Sequence, residues 1–160
     1  MATNEFRIVT LWRIGAGISE VAAILAEPER FPDWWGDVYL DIRVLAEGDV
    51  NQIGRRIAIH SKGWLPYHLN WVATLVENDS PHRSVIEASG DLTGRGVWTL
   101  TQKGPIAEIS YDWRVFADRP LFRRVAPLFG PVFAWNHRWA MARGEAGLKR
   151  EVLRRRMAGA

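Results

Sequence analysis

The sequence has no cysteine, and only three of its 21 basic residues are lysine. Without thiols there are no disulfides, no thiolate nucleophile, no iron–sulfur cluster and no thiolate zinc site. Long apolar runs are missing too. The longest, Val125 to Trp135, is eleven residues and contains Pro127, Gly130 and Pro131; a membrane-spanning helix needs about 20. The opening Met1-Ala2-Thr3-Asn4-Glu5-Phe6-Arg7 carries an acid early and lacks the apolar core and cleavage site of a signal peptide, so a cytoplasmic location is expected. The four histidines, His60, His68, His82 and His137, show neither HxH nor HExxH spacing, and no metal site is expected. There is no P-loop and no GxSxG elbow. Gly15-Ala16-Gly17-Ile18-Ser19-Glu20 imitates a dinucleotide fingerprint, but Glu20 stands at the third glycine position, where a carboxylate would repel a pyrophosphate. The later strands lack the intervening helices of a doubly wound sheet, and no cofactor is expected.

What is present is a core. The chain has 160 residues, 48% hydrophobic and 24% charged, with nine tryptophans, six phenylalanines and three tyrosines. That composition excludes disorder, and the length suits one domain over residues 1–160 rather than two. The net charge of +3 hides an asymmetry. Residues 1–119 hold 12 basic against 16 acidic side chains, whereas residues 120–160 hold 9 against 2. The basic end reads first as a solvated helix terminus, with Arg154, Arg155 and Arg156 complementing the helix dipole. Binding of nucleic acid or an anionic membrane is the alternative.

Phe6 to Ile14 is rich in β-branched and aromatic residues and reads as a strand. Gly15 and Gly17 break it, and Ser19 is a plausible N-cap for a short helix with apolar Val21, Ala22, Ile24 and Leu25. Pro28 ends that helix, and Pro28 to Trp35 reads as a helical turn. Six strand-like runs follow, near Val38–Glu47, Gly54–Ser61, Tyr67–Glu77, Arg83–Ser89, Gly96–Gln102 and Ile106–Phe116. Their connections carry turn chemistry and are too short for crossover helices, so the strands should form an antiparallel meander. From Pro120 the pattern is helical. Pro127 and Pro131 should break its first part, leaving one long helix from about Pro131 to Met157. The fold class is therefore α+β: a seven-stranded curved antiparallel sheet around a long C-terminal helix, with two short helices between strands 1 and 2.

This order, together with Val21–Trp35, Gly90–Trp98 and Trp135–Met141, resembles the START-like, helix-grip superfamily of polyketide cyclases/dehydrases and lipid-transport domains. The resemblance implies a hydrophobic ligand cavity, and permits a polyketide cyclase or dehydratase activity in the same cavity. It carries over no catalytic residue.

Alternation places Tyr67, Leu69, Trp71, Ala73 and Leu75 on one face of the fourth strand, and Ile109, Tyr111, Trp113 and Val115 on one face of the seventh. These rings either fill the core or line a pocket, as apolar ligand sites commonly require. On the long helix, Arg138, Glu145, Lys149 and Arg156 share one side, opposite Asn136, Ala140, Arg143 and Gly147. Asn136 and Arg143 are thus expected to point inward. Arg143 would then be paired with Asp112, Glu87 or Asp91, or would await a ligand carboxylate or phenolate; the remaining alternative is that the helix is rotated and the arginine reaches solvent. The expected ligand-binding set is Tyr67, Trp71, Trp98, Tyr111, Trp113, Asn136 and Arg143, around a cavity between the sheet and the C-terminal helix. Asp91 and Arg95 could bridge the Gly90–Gly96 hairpin loop or flank the cavity mouth, where Trp64 and Leu65 could form a rim. His68 and His137 are candidate general acids or bases, since imidazole titrates near neutral pH. The expected partner is a hydrophobic small molecule, cyclic, aromatic or lipid-like.

Overall fold

A computed structural model describes residues 5–64, 68–116 and 120–159. Seven strands run in chain order: β1 (Glu5–Ile14), β2 (Tyr39–Ala46), β3 (Arg56–Lys62), β4 (His68–Asp79), β5 (Arg83–Gly90), β6 (Thr93–Lys103) and β7 (Ile106–Phe116). They form one antiparallel sheet in the order β1-β7-β6-β5-β4-β3-β2. The meander closes with β7 pairing back onto β1, Trp12 opposite Ile109 and Ile8 opposite Trp113. The two sheet edges are therefore β1 and β2, consecutive in sequence but far apart in the sheet. The segment joining them must cross the concave face. It does so as helix α1 (Ile18–Leu25), a 3-10 turn at Pro28–Arg30 and helix α2 (Phe31–Trp34).

The long helix α3 spans Pro120–Ala158. It runs through Pro127 and Pro131, where the sequence predicts a break. Two prolines remove two backbone donors, at about 3 kcal/mol each in a helix interior. Tertiary packing outweighs this local preference: α3 lies against β1, α1 and α2. The N-cap of α1 also differs from expectation. It is Gly17, with no side-chain hydrogen bond, and Ser19 lies inside the helix.

The inner face alternates as the sequence indicates. Trp71 and Ala73 of β4, and Ala107, Ile109, Tyr111, Trp113 and Val115 of β7, are all buried. So are Trp12, Trp34 and Trp35, which wedge between the sheet and α3. Gly144 and Gly147 let α3 close on them: a β-carbon at either would collide with Trp35 or with the Trp34 backbone.

The buried stripe of α3 comprises Asn136, Ala140, Met141, Leu148, Glu151 and Val152, together with both glycines. It is turned by roughly 60° from the face centred on Ala140 and Arg143, at 100° per residue. Arg143 consequently lies on the flank, its side chain 55% exposed and 3.6 Å from Asp37. Its guanidinium rests over Trp139 at 5.3 Å. The expected inward arginine is not inward, and its acidic neighbour is none of the three anticipated. Asp112 instead takes a bidentate pair from Arg7, at 3.1 and 2.8 Å, on the outer face.

The basic end of α3 folds back on acids of the same chain. Glu151, 4% exposed, accepts from both Arg154 and Arg155, which hold its carboxyl below the usual carboxylate range despite burial. Arg155 also reaches Glu27, and Arg156 reaches Glu20. No helix among the described residues is long and apolar enough to cross a membrane.

Candidate functional site

Among the described residues, a larger and a smaller cavity lie against the inner face of the sheet. The larger, ≈180 Å³, sits between strands β3–β7 and the short helices. Its floor includes Ile57, Ile59, Trp71, Ala73, Ile86, Trp98, Leu100 and Tyr111, and its roof includes Ala22, Leu25, Phe31 and Tyr39. The smaller, ≈80 Å³, lies under α3, against Trp35, Trp71, Trp113, Asn136, His137 and Met141. Tyr39, Trp71 and Tyr111 line both. The expected cavity between the sheet and the C-terminal helix is present as the smaller of these, and the larger extends beneath α1 and α2, with Trp12, Trp34 and Trp35 buried under α3.

The rings form a continuous stack. Trp98 lies 4.2 Å from Tyr111, and Tyr111 lies 5.7 Å from Trp113, both pairs nearly parallel. Trp71 follows at 6.0 Å from Trp113, its Nε1 donating to Ser61 Oγ at 3.0 Å. Gly96 makes the stack possible, because a β-carbon there would come within 2.6 Å of the Tyr111 hydroxyl. Burial pushes the phenols of Tyr39 and Tyr111 well up, so both stay protonated and can donate hydrogen bonds.

His137 faces the smaller cavity and lies parallel to Tyr111 at 6.3 Å between ring centres. Burial pushes its imidazole down to about 4, so it is neutral at pH 7. Its Nε2 is buried and makes no hydrogen bond. The other candidate, His68, is excluded from both cavities. It is on the outer face of β4, where its Nδ1 meets His60 Nε2 at 2.8 Å. Position 68 has the wrong parity for the inner face, which the neighbouring Leu69 and Trp71 occupy.

Asp91 and Arg95 line neither cavity. Asp91 Oδ2 accepts from the Asn70 backbone at 2.8 Å, holding the hairpin end, and Arg95 pairs with Glu77 at 3.2 Å. Trp64 is 57% exposed and packs edge-on against Trp135, itself 44% exposed, at 4.7 Å. Tyr67 and Leu65 lie outside the described residues. Asn136 is 8% exposed and lines the smaller cavity.

Sequence reasoning missed Arg55. It is 9% exposed and lines the larger cavity. Nη1 donates to Ala26 O at 2.9 Å, capping the end of α1, and Nη2 donates to both oxygens of Glu29 at 3.0 Å. The signal was available: position 55 shares the parity of the inward-facing Ile57 and Ile59. Among the described residues no group of three His, Asp or Glu is placed to hold a metal ion.

No protein-family model matches the sequence, and no curated protein matches it. Solved structures do. A START superfamily protein from Mycobacterium smegmatis superposes with a TM-score of 0.76 at 12% identity, covering 92% of this chain and 97% of the other. The fold is the START-like helix grip. The Zhui aromatase/cyclase from Streptomyces sp. R1128 has the same START-like path, with a TM-score of 0.72 at 11% identity and coverage of 94% and 95%. Norcoclaurine synthase from Thalictrum flavum, in complex with dopamine and hydroxybenzaldehyde, follows at 0.63 and 15%, covering 95% and 88%. At such identities the START-like likeness is one of chain path. The site chemistry has to come from this chain's own side chains.

Proposed function

We propose that this START-like chain binds a hydrophobic, ring-containing small molecule in the larger cavity. The observation that carries this reading is the ≈180 Å³ void walled by Trp71, Trp98, Tyr111, Phe31, Ile86 and Leu100. An apolar engineered cavity of about 150 Å³ takes up benzene, so this one has room for a ring of that order. The Trp98–Tyr111 stack offers a ring a flat partner, and Tyr39 and Tyr111 supply hydroxyl groups at the border of the two chambers. The test is a titration with 2-naphthol followed by tryptophan fluorescence, since Trp71 and Trp98 are in the wall. Saturable quenching, competed by other ring compounds, is the expected result. Its absence, together with no small molecule extractable from the purified protein, overturns the reading.

A second reading, catalysis, is favoured by His137 alone. A neutral imidazole on the cavity wall can accept a proton, and the protonated Tyr111 phenol can donate to an oxygen gaining charge. Those are the two groups needed to take a proton from a carbon between two carbonyls and stabilise the enolate, the opening step of a cyclisation. The aromatase/cyclase among the neighbours makes this chemistry the natural one to assay. Turnover of a poly-β-ketone that is lost in His137→Gln, with the fold intact, is the result that establishes it.

A further inference from the structure

Two phenols stand on opposite walls of the larger cavity, Tyr39 in the roof and Tyr111 in the floor, and both also line the smaller one. The Tyr39 ring lies 4.8 Å from Trp35 and 5.4 Å from Phe31, and the Tyr111 ring is stacked on Trp98 and Trp113. These contacts fix where the hydroxyls sit. That of Tyr111 lies over Gly96, whose register neighbour Ile86 also floors the larger cavity.

Neither hydroxyl makes a hydrogen bond among the described residues. Trp12 Nε1 and Trp34 Nε1 lack partners too, but they are sealed in the core without free surface. The phenol oxygens are not sealed, and each keeps surface on the void that it lines. Burial keeps both phenols protonated, and Tyr39 adds to the effect at Tyr111, which marks the two as neighbours. The arginines of the same lining, Arg55 and Arg83, are already paired with Glu29 and Glu77. Recognition of a ligand oxygen here therefore falls to neutral donors.

A guest that expels water from between these walls must offer the phenols an acceptor, or leave two buried hydroxyls unpaired at a cost larger than a hydrogen bond gains. One carbonyl oxygen suffices, because its two lone pairs can accept from both. A carboxylate would exchange its full hydration shell for two neutral donors.

We infer that Tyr39 and Tyr111 form a two-donor site for a single carbonyl oxygen, and that the ligand is a neutral aryl ketone, its ring among Trp71, Trp98 and Ile86 and its oxygen between the phenols. This site presupposes that the ring binds in the larger cavity.

The test uses 2-acetonaphthone and its shape-matched hydrocarbon 2-isopropenylnaphthalene, in which a methylene replaces the carbonyl oxygen. Both are titrated by tryptophan fluorescence at pH 7 against the wild-type protein, Tyr39→Phe and Tyr111→Phe. Each substitution removes one hydroxyl and keeps the ring. The affinity for the ketone relative to the hydrocarbon should fall about fivefold in either variant, as for the loss of one neutral hydrogen bond. The infrared carbonyl stretch of the bound ketone should lie below its position in hexane and move up in each variant, a change that altered packing alone does not produce. A bound ketone whose stretch matches that in hexane, or whose stretch or relative affinity is unmoved in either variant, overturns the two-phenol site and leaves ring binding standing. So does a ketone that fails to bind while 2-naphthol binds. If neither binds, the ketone site is overturned, and ring binding falls with it when no small molecule can be extracted from the purified protein.

Discussion

Trp35 and Gly144 meet so closely that a β-carbon on the glycine would come within 2.5 Å of the indole. The same indole donates its Nε1–H to the Ala140 carbonyl at 2.9 Å, one turn earlier on α3. Helix and ring are thereby locked together, with Trp12 beside the indole at 5.4 Å and its Cζ2 2.7 Å from the same β-carbon position.

Glycine to alanine in a helix interior ordinarily stabilises by about 0.5–1 kcal/mol. At Gly144 the sign should reverse. Neither indole can move without displacing the other, so overpacking of about 1–3 kcal/mol is expected. Urea unfolding of Gly144→Ala should show a lower midpoint with an unchanged slope.

Filling the larger cavity should separate binding from folding. Ile86 is half-buried on its floor. Ile86→Trp should weaken 2-naphthol binding by about tenfold or more, because the added volume competes with the ring. The melting temperature should stay level or rise. Undiminished binding would place the ring elsewhere.

His137 should leave a mark on acid stability. Its folded value of about 4 lies below the ordinary 6.5, so between these pH values the unfolded chain binds the extra proton. Stability should therefore fall as pH drops from about 6.5 toward 4, by about 3 kcal/mol from this group, and be flat above. His137→Phe should lose that slope. Glu77, Asp112 and Glu151, whose carboxyls are held low by arginines, contribute loss at lower pH, below their unfolded values near 4.5 and 3.8. Chemical denaturation at pH 7, 5.5, 4.5 and 3 distinguishes the two windows.

Arg143→Met should change stability by no more than about 0.5 kcal/mol, as for an exposed ion pair, and leave ring binding untouched. A large loss of either would mean that this side chain reaches the interior in solution.

The β half of the molecule was readable residue by residue. Successive side chains of a strand alternate strictly, so Trp71, Tyr111 and Trp113 could be assigned to the inner face without knowing what they meet. Gly48-Asp49 shows why the turns were equally legible: Gly48 adopts φ +82°, and Asp49 Oδ1 accepts from the backbone of Asn51 and Ile53 within five residues. The same parity argument, extended one step before β3, would have found Arg55. The helices were less legible. Arg143 and Asn136 stand on neighbouring flanks of α3, yet one is exposed and the other buried.

By itself, then, the amino-acid order determined the succession of elements, the inward rings and the START-like plan, because turn chemistry and two-residue alternation act over a few residues. The azimuth of α3, the burial of Arg55 and the exposure of Arg143 were decided by tertiary packing. They depend on how Trp12, Trp34 and Trp35, drawn from two separate segments, fit against Gly144 and Gly147 more than a hundred positions later. No local pattern encodes that fit, since its free energy exists only once all the surfaces are together.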